Sequence, residues 1–358
     1  MSAFTKDDLK RLQAESLHQK FQRSLAKVAE WFARWNNEVY VSFSGGKDST
    51  VLADICAKWC KVIGKPLYLV FVNTGLEYLE IQRFVKEYAQ YLRDKYGIEV
   101  VLEIIRPKMR FDEVIKKYGY PIISKEVSEC VSQGRKCIES GVVKYPYRLK
   151  KLLGTAKDKH GNLSKFNKKK YKPLLETDFL LSHMCCNVMK KKPIKDYNAK
   201  TKRKPITAQM ASESMLREQQ WFKHGCNGFD MKSPISNPMS FWTEQDVLQY
   251  INAEQLPIAS VYGDIVCEKK TGQFGDELRT TGYNRTGCIF CAFGCHLEKE
   301  PTRFQRLKET HPRQYEYCIG GGEYDENGVW KPNKQGLGMG HVFDELNKIY
   351  GEDFIKYE

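Results

Sequence analysis

A single turn constrains this chain more than any other stretch. The apolar run Val39-Tyr40-Val41 is followed at once by Ser42-Phe43-Ser44-Gly45-Gly46-Lys47-Asp48-Ser49-Thr50, and then by Val51-Leu52-Ala53-Asp54-Ile55-Cys56. A buried strand that ends in glycines and enters a helix immediately leaves backbone N–H groups converging at a helix N-terminus, where a phosphate chain can sit. It also commits the chain to α/β organisation, because strand-then-helix is the first half of a βαβ unit. Gly45 and Gly46 let the backbone turn sharply and approach phosphate oxygens, and Ser44 and Ser49 add hydroxyl donors. Lys47 adds a positive charge, and Asp48 offers a Mg²⁺ ligand or a helix cap. The spacing matches neither Gly-x-x-x-x-Gly-Lys-Ser/Thr nor Gly-x-Gly-x-x-Gly. An ordinary Gly-Gly strand-to-helix turn is the plain alternative.

The surrounding pattern repeats the alternation. Short apolar runs at Val39 to Phe43, Leu67 to Val72 and Val100 to Ile105 read as strands, separated by helical stretches around Val51 to Val62 and Leu79 to Tyr96. The fold class expected is therefore α/β with a doubly wound parallel sheet, in which ligands bind at the carboxyl ends of strands. Ahead of it, Thr5-x-x-Asp8 opens a helical pattern carried by Leu9, Leu12, Phe21, Leu25, Val28, Phe32 and Trp35, so residues 1–36 are expected to form one long amphipathic helix or two. Pro205 to Met210 reads as a further strand, with a helix opening at Ala211 to Arg217. Thr243, with Asp246 three residues on, reads as a helix start.

At 358 residues, two domains or one domain with large insertions is expected. No apolar run reaches the length of a membrane span, and Met1 to Asp8 lacks the apolar centre of a signal peptide, which sets the expectation of a cytoplasmic protein with no membrane partner. The net charge of +14 is concentrated. Between Lys144 and Lys204 nineteen Lys and Arg stand against four Asp and Glu, with Tyr145, Tyr147, Phe166 and Tyr171 interleaved. A nucleic-acid surface and a solvated lysine-rich insertion both fit that composition.

The loop resembles the Ser-Gly-Gly-x-Asp-Ser PP-loop of the ATP pyrophosphatase (adenine nucleotide alpha hydrolase-like) superfamily, whose members cleave ATP between the α and β phosphates. Asn73-Thr74-Gly75-Leu76-Glu77 after the second strand resembles the phosphoadenosine phosphosulfate (PAPS) reductase branch. So do Glu213, Ser214 and Arg217, although Ala208 and Met210 stand where that branch has Gly and a first Arg. Glu213 and Arg217 also fit an ordinary i,i+4 pair. The resemblance implies that Ser44, Gly45, Gly46, Lys47, Asp48, Ser49, Asn73, Thr74, Gly75 and Glu77 hold a nucleotide, ATP with Mg²⁺, and that Lys47, Asp48 and Arg217 act in catalysis. It implies a nucleotide-binding domain over 37–240 with a basic insertion at about 143–204, and a helical, cysteine-rich region over 241–358.

Twelve cysteines in a chain expected in a reducing compartment point to metal or redox chemistry rather than disulfides. Cys185-Cys186 followed at long range by Cys288-x-x-Cys291 resembles the [4Fe-4S] ligand pattern of adenosine phosphosulfate (APS) reductases. Structural zinc and buried unligated thiols remain the alternatives, and Cys295 or Cys226 can substitute for one of the four within the ligand set. Cys56 and Cys60 share a helix face and read as core.

Sulfonucleotide reductases use a C-terminal Glu-Cys-Gly-Leu-His nucleophile and carry an eroded loop. Here the loop is intact and the last cysteine, Cys318, lies in Tyr-Cys-Ile-Gly-Gly. The expectation is an ATP-dependent enzyme that adenylates an acceptor, tRNA or DNA, and transfers sulfur. Its further partner would be a sulfur donor or a thioredoxin-like reductant. Reduction of APS or PAPS to sulfite is the first alternative, and a nucleotide-binding defence or scaffold protein the second.

Overall fold

The computed structural model describes residues 4–141, 145–269 and 276–358. The start of the basic insertion at 143 and Lys144, and the first three residues of the N-terminal segment, lie outside the described residues. The chain divides by its contacts into two compact units, each assembled from non-contiguous stretches. Unit 1 takes residues 1–73, 77–106 and 193–287; unit 2 takes 74–76, 107–192 and 288–358. The cut at 240/241 therefore does not follow the contacts, which keep residues 241–287 with the sheet that bears the glycine turn.

Unit 1 begins with two helices, α1 (Lys6–Gln13) and α2 (Leu17–Arg34), rather than one. Each starts in a reciprocal capping box, Thr5 with Asp8 and Ser16 with Gln19, and the second box is what interrupts the helical run. α2 buries Val28, Trp31 and Phe32, a burial of roughly 1.5–3 kcal/mol for each large side chain. Its buried Lys20 donates to both carboxylate oxygens of Asp246 at 2.7 Å, and Asp246 in turn completes the Thr243 capping box of helix Glu244–Ala253.

The sheet of unit 1 has six strands. β1 (Val39–Ser42), β2 (Leu67–Val72) and β3 (Val100–Ile105) run parallel, with α3 (Lys47–Ile63) and α4 (Leu79–Tyr96) as their crossovers. Strand Lys204–Ile206 pairs parallel on the other side of β1, then Ile235–Ser236, and last the antiparallel edge Asn227–Gly228. The sheet is thus mostly parallel, as its βαβ pattern predicts. Strand order reverses at β1, because the chain departs towards β2 on one side and returns as Lys204–Ile206 on the other. In open α/β sheets the crevice at such a reversal is where ligands bind, and the glycine turn sits at that end of β1. The expected strand Pro205 to Met210 is shorter than its apolar content suggested: the strand is Lys204–Ile206, and the Thr207 N–H bond to the Ser236 carbonyl of the neighbouring strand is the last of its pairing.

Unit 2 is mainly helical. A short segment, residues 120–123, holds its cysteine-bearing parts together. Tyr120 N–H donates to the Leu180 carbonyl at 2.7 Å and Ser182 N–H donates back to Tyr120 at 3.0 Å. Ile122–Ile123 pairs parallel with Ala292–Phe293. Gly119 makes this splice feasible, because at its φ of +104° an added Cβ would lie 2.4 Å from the Leu180 backbone. The helices Lys125–Glu139 and Tyr147–Leu153 pack through Gly134 against Leu149 and Leu152, so the part of the basic insertion described in this unit is a folded lobe. Among the described residues no helix is long and apolar enough to cross a membrane.

Candidate functional site

The turn after β1 is built by its own short side chains. Gly45 takes φ +73°, and a Cβ there would meet Ile81 and Val85 of α4 at 2.9 and 3.0 Å. Ser49 Oγ receives the Ser44 N–H at 3.2 Å, lies 3.1 Å from Ser44 Oγ, and donates to the Gly46 carbonyl at 2.9 Å. Gly46 is the N-cap of α3 and makes no side-chain cap bond of its own; the Lys47 N–H of the first turn meets the Tyr262 hydroxyl. Asp48 is therefore not the cap that its position in the sequence also allowed; it stands in the first turn, past the capping position.

Around this turn lies a cavity of about 130 Å³, lined by Ser44, Gly46, Lys47, Asp48, Glu213 and Arg285 among others. Whole-ligand sites commonly measure roughly 300–1,000 Å³, so this space suits a phosphate group rather than a complete nucleotide. Lys47 is 6% exposed and its ammonium is 3.1 Å from Glu244 Oε1, with the Tyr262 ring centroid 5.3 Å away. Tyr262 is fixed by a 2.6 Å contact to Thr286 Oγ1, and burial pushes its hydroxyl up to about 12. Burial raises Asp48 above the ordinary carboxylate range, and Glu244 adds to the rise; Lys47, Arg285 and Arg217 oppose it. Arg217 is held below the usual guanidinium value by burial and then by its like-charged neighbour Arg285, with Asp48 the opposing attraction. The expected pair between Arg217 and Glu213 is present, and Glu213 also accepts from Met210 N–H at 2.9 Å.

The remaining sequence-predicted nucleotide residues are placed differently. Asn73 continues the β2 pairing by donating to the Ile105 carbonyl at 2.9 Å, and its side chain reaches Gln82 at 3.3 Å. Glu77 is buried and its carbonyl accepts from Gln82. Neither lines the cavity. Thr74 and Gly75 belong to unit 2, where Thr74 Oγ1 accepts from Leu76 N–H. Conversely, the cavity contains residues that the sequence reading passed over or read as structural: Glu244, Tyr262, Asn284, Arg285 and Thr286. The available signal was the polar, glycine-bounded stretch Gly282-Tyr-Asn-Arg-Thr-Gly287 just before Cys288.

In unit 2 the four cysteines expected as ligands share one electrostatic neighbourhood. Burial pushes the Cys185 thiol well up, and Cys288, Cys186 and Cys291 push it further. Burial also raises Cys291, while the Phe293 N–H and the Arg303 guanidinium counter it; Arg303 donates to the Cys291 carbonyl at 2.7 Å. Segment 120–123 explains the convergence, since it pairs just before Cys185 and just after Cys291. Four sulfurs of this kind fit a soft metal centre by donor chemistry. Among the described residues no three metal-ligating side chains are drawn together closely enough to hold an ion, so binding would have to close the set. Cys295 donates to the Ala292 carbonyl at 3.0 Å, and Cys226 lies in unit 1, 3.2 Å from Ser240 Oγ. Cys56 and Cys60 are core residues of α3, as their spacing predicts.

Over 313 residues the chain is 23% identical to the uncharacterized protein MJ0973 of Methanocaldococcus jannaschii, covering 86% of this chain and 54% of that protein. A second protein of the same organism, the uncharacterized MJ0066, is 31% identical over 100 residues, 28% of this chain and 19% of its own length. The chain thus spans about half the length of the first relative and a fifth of the second. Among solved structures, an NMN synthetase from Francisella tularensis aligns with a TM-score of 0.31 at 13% identity, over 68% of this chain and 72% of that one. The phosphoadenosine phosphosulfate reductase domain profile matches residues 38–140 and 142–293. With most of its length covered by that match, the chain belongs to the phosphoadenosine phosphosulfate reductase domain family.

Proposed function

We propose that this protein uses ATP to adenylate an oxygen of a nucleic-acid acceptor, releases pyrophosphate, and replaces that oxygen with sulfur. The observation that carries the reading is the charge arrangement at the glycine turn. Arg285 and the buried Lys47 line one phosphate-sized cavity at a helix N-terminus together with the carboxylates Asp48, Glu213 and Glu244, and Arg217, paired with Glu213, stands behind them within the field of Arg285 and Asp48. Like charges held together under burial are stabilised most by an anion placed among them.

In this reading the N–H groups of Gly46 and Lys47 receive the β,γ-phosphates, and Lys47 exchanges Glu244 for a phosphate oxygen. The acceptor oxygen attacks the α-phosphorus, and the bond to the bridging oxygen breaks with its electron pair leaving on pyrophosphate. Lys47, Arg217 and Arg285 neutralise that growing charge, while Asp48 would hold Mg²⁺. The sulfur of a hydrosulfide-class donor then attacks the activated carbon, and the carbon–oxygen bond to AMP breaks. A [4Fe-4S] cluster, or zinc as the alternative metal, would be held by Cys185, Cys186, Cys288 and Cys291, a cluster supplying electron transfer or bound sulfur.

A second reading, reduction of APS or PAPS to sulfite, is favoured by the description of the matched family. Against it, Cys318 is fully buried, its thiol pushed well up and directed at Met339 Sδ at 3.4 Å, which is no place for a mobile nucleophile. The two readings separate in one assay pair. Pyrophosphate release from ATP with tRNA or DNA, abolished in Lys47→Ala, supports the first. Sulfite from PAPS and thioredoxin, without pyrophosphate from ATP, establishes the second.

A further inference from the structure

We propose that Tyr147 and Phe166, set about Lys151 in unit 2, form a stacking platform for single-stranded nucleic acid. This deepens the nucleic-acid part of the function proposed above and rests on it. The observation is a conflict between burial and chemistry. Helix Tyr147–Leu153 and the chain that follows have a complete core of their own, in which Leu149, Leu152, Ala156 and Leu174 are fully buried. Ser164 N–H donates to the Ala156 carbonyl at 2.8 Å, and Asp158 Oδ1 accepts from His160 and Asn162, so the 156–164 turn is ordered. Yet this ordered lobe leaves Tyr147 54% and Phe166 68% exposed, with Tyr145 and Leu163 also in solvent. The rings are not needed for packing where they stand.

Lys151 relates the two rings. Its ammonium lies 5.9 Å from each ring centroid, so the centroids are no more than about 12 Å apart. Successive nucleotides of one stacked strand advance about 3.4 Å, so the two rings lie within reach of neighbouring bases, at most roughly three apart. Lys151 itself is paired with Glu126, which also faces Lys168, so it serves as a positioning residue rather than as free charge. The free charge is elsewhere on the same lobe. Residues 145–172 hold ten Lys and Arg and one acidic residue, Asp158, whose carboxylate is already engaged. Lys150, Lys157, Lys159, Lys165 and Lys169 are exposed and form no ion pair among the described residues. Exposed aromatic faces interleaved with unpaired lysines suit unstacked bases on a phosphate backbone; a duplex offers its backbone but hides its base faces.

The test is anisotropy of labelled, mixed-sequence RNA and DNA of about ten nucleotides, single-stranded and duplex, titrated with the full chain without ATP over a salt series. Single strands should bind more tightly than duplexes. Tyr147→Ala and Phe166→Ala should each weaken single-strand binding about tenfold without changing the salt slope, while Tyr147→Phe retains it. Lys157→Ala with Lys165→Ala should flatten the slope, by about 0.7 for each phosphate no longer neutralised. Equal binding by both aromatic variants, equal affinity for duplex, or binding to phosphatidylserine vesicles in place of oligonucleotides overturns the proposal. Because ATP is absent, the outcome is independent of pyrophosphate release: a Lys47-dependent ATPase with unchanged aromatic variants removes the platform and leaves the ATP reading standing.

Discussion

Replacing Glu244 by Gln should strengthen anion binding at the glycine turn, because Glu244 occupies the charge that an incoming phosphate needs. Its carboxylate is 3.1 Å from the Lys47 ammonium. At that separation Coulomb attraction is about 5 kcal/mol at an effective dielectric of 20 and about 1.3 kcal/mol in bulk water. Lys47 is nearly buried, but the Glu244 side chain is 46% exposed, so solvent screening brings the pair towards the lower figure, about 1–2 kcal/mol. The amide keeps the size and removes the competition, which corresponds to roughly 5- to 30-fold tighter binding. The cap of helix Glu244–Ala253 is made by Thr243 and Asp246 and is untouched. Calorimetric titration with inorganic pyrophosphate in EDTA, at low ionic strength, isolates the effect from any metal. Unchanged or weaker binding by Glu244→Gln would refute the competition, and with it the assignment of Lys47 to the phosphates.

The same carboxylate sets a pH dependence. Asp48 must be ionised to hold Mg²⁺, and burial with Glu244 beside it raises its pKa, so the acid limb of Mg²⁺-dependent pyrophosphate release should lie above the ordinary aspartate range. Glu244→Gln should move that limb to lower pH, and an unmoved limb would assign it to another group. Because the folded pKa exceeds the unfolded one, this aspartate also costs stability as pH rises between the two values, so Asp48→Asn should flatten the stability profile there. Gly45→Ala should destabilise by about 1–3 kcal/mol and reduce phosphate binding, since both its positive φ and the nearby Ile81 and Val85 methyls exclude a Cβ; denaturant melts measure the first. Asp54 is fully buried and accepts from Tyr96 at 2.6 Å and Tyr250 at 2.8 Å, with Lys95 and Lys58 within 3.4 Å. Asp54→Ala leaves these donors unmatched and should cost about 3–5 kcal/mol in the same melts. Anaerobically isolated protein should be brown and hold about four irons, falling sharply in Cys185→Ser with Cys288→Ser; one zinc per chain would replace the cluster assignment.

The local parts of this molecule were readable from the chain because local patterns determine them. β2, β3 and α4 fall on their apolar runs, and the Thr5 and Thr243 starts follow from short polar side chains three residues ahead of an acceptor. α3 begins at Lys47, four residues before its apolar periodicity, since a glycine N-cap sets its start and periodicity cannot show that. The short strand Lys204–Ile206 was decided by how far its neighbours pair with it, a matter of tertiary context, whereas the break between α1 and α2 follows from the local Ser16–Gln19 capping box. The cavity divides in the same way. Ser44, Lys47 and Asp48 belong to one contiguous motif, whereas Glu244, Tyr262 and Arg285 arrive from segments about two hundred residues later in the chain, Glu244 at a helix start, Tyr262 at the end of a short helical turn and Arg285 in a loop. Asn73 and Glu77, expected at the nucleotide from a short turn pattern, do not line that cavity: Asn73 N–H donates to the Ile105 carbonyl and the Glu77 carbonyl accepts from Gln82.

The most direct test of ATP cleavage at the glycine turn follows the adenylate of α-labelled ATP together with pyrophosphate from a coupled assay, in the presence of Mg²⁺ and bulk tRNA or DNA. The arrangement of Lys47, Asp48, Arg217 and Arg285 predicts one pyrophosphate for each labelled adenylate, held on the acceptor or freed as AMP once hydrosulfide is added, with a loss of about a hundredfold or more in Lys47→Ala and Asp48→Asn. ADP as the product, or pyrophosphate formed equally well by both variants, would contradict it.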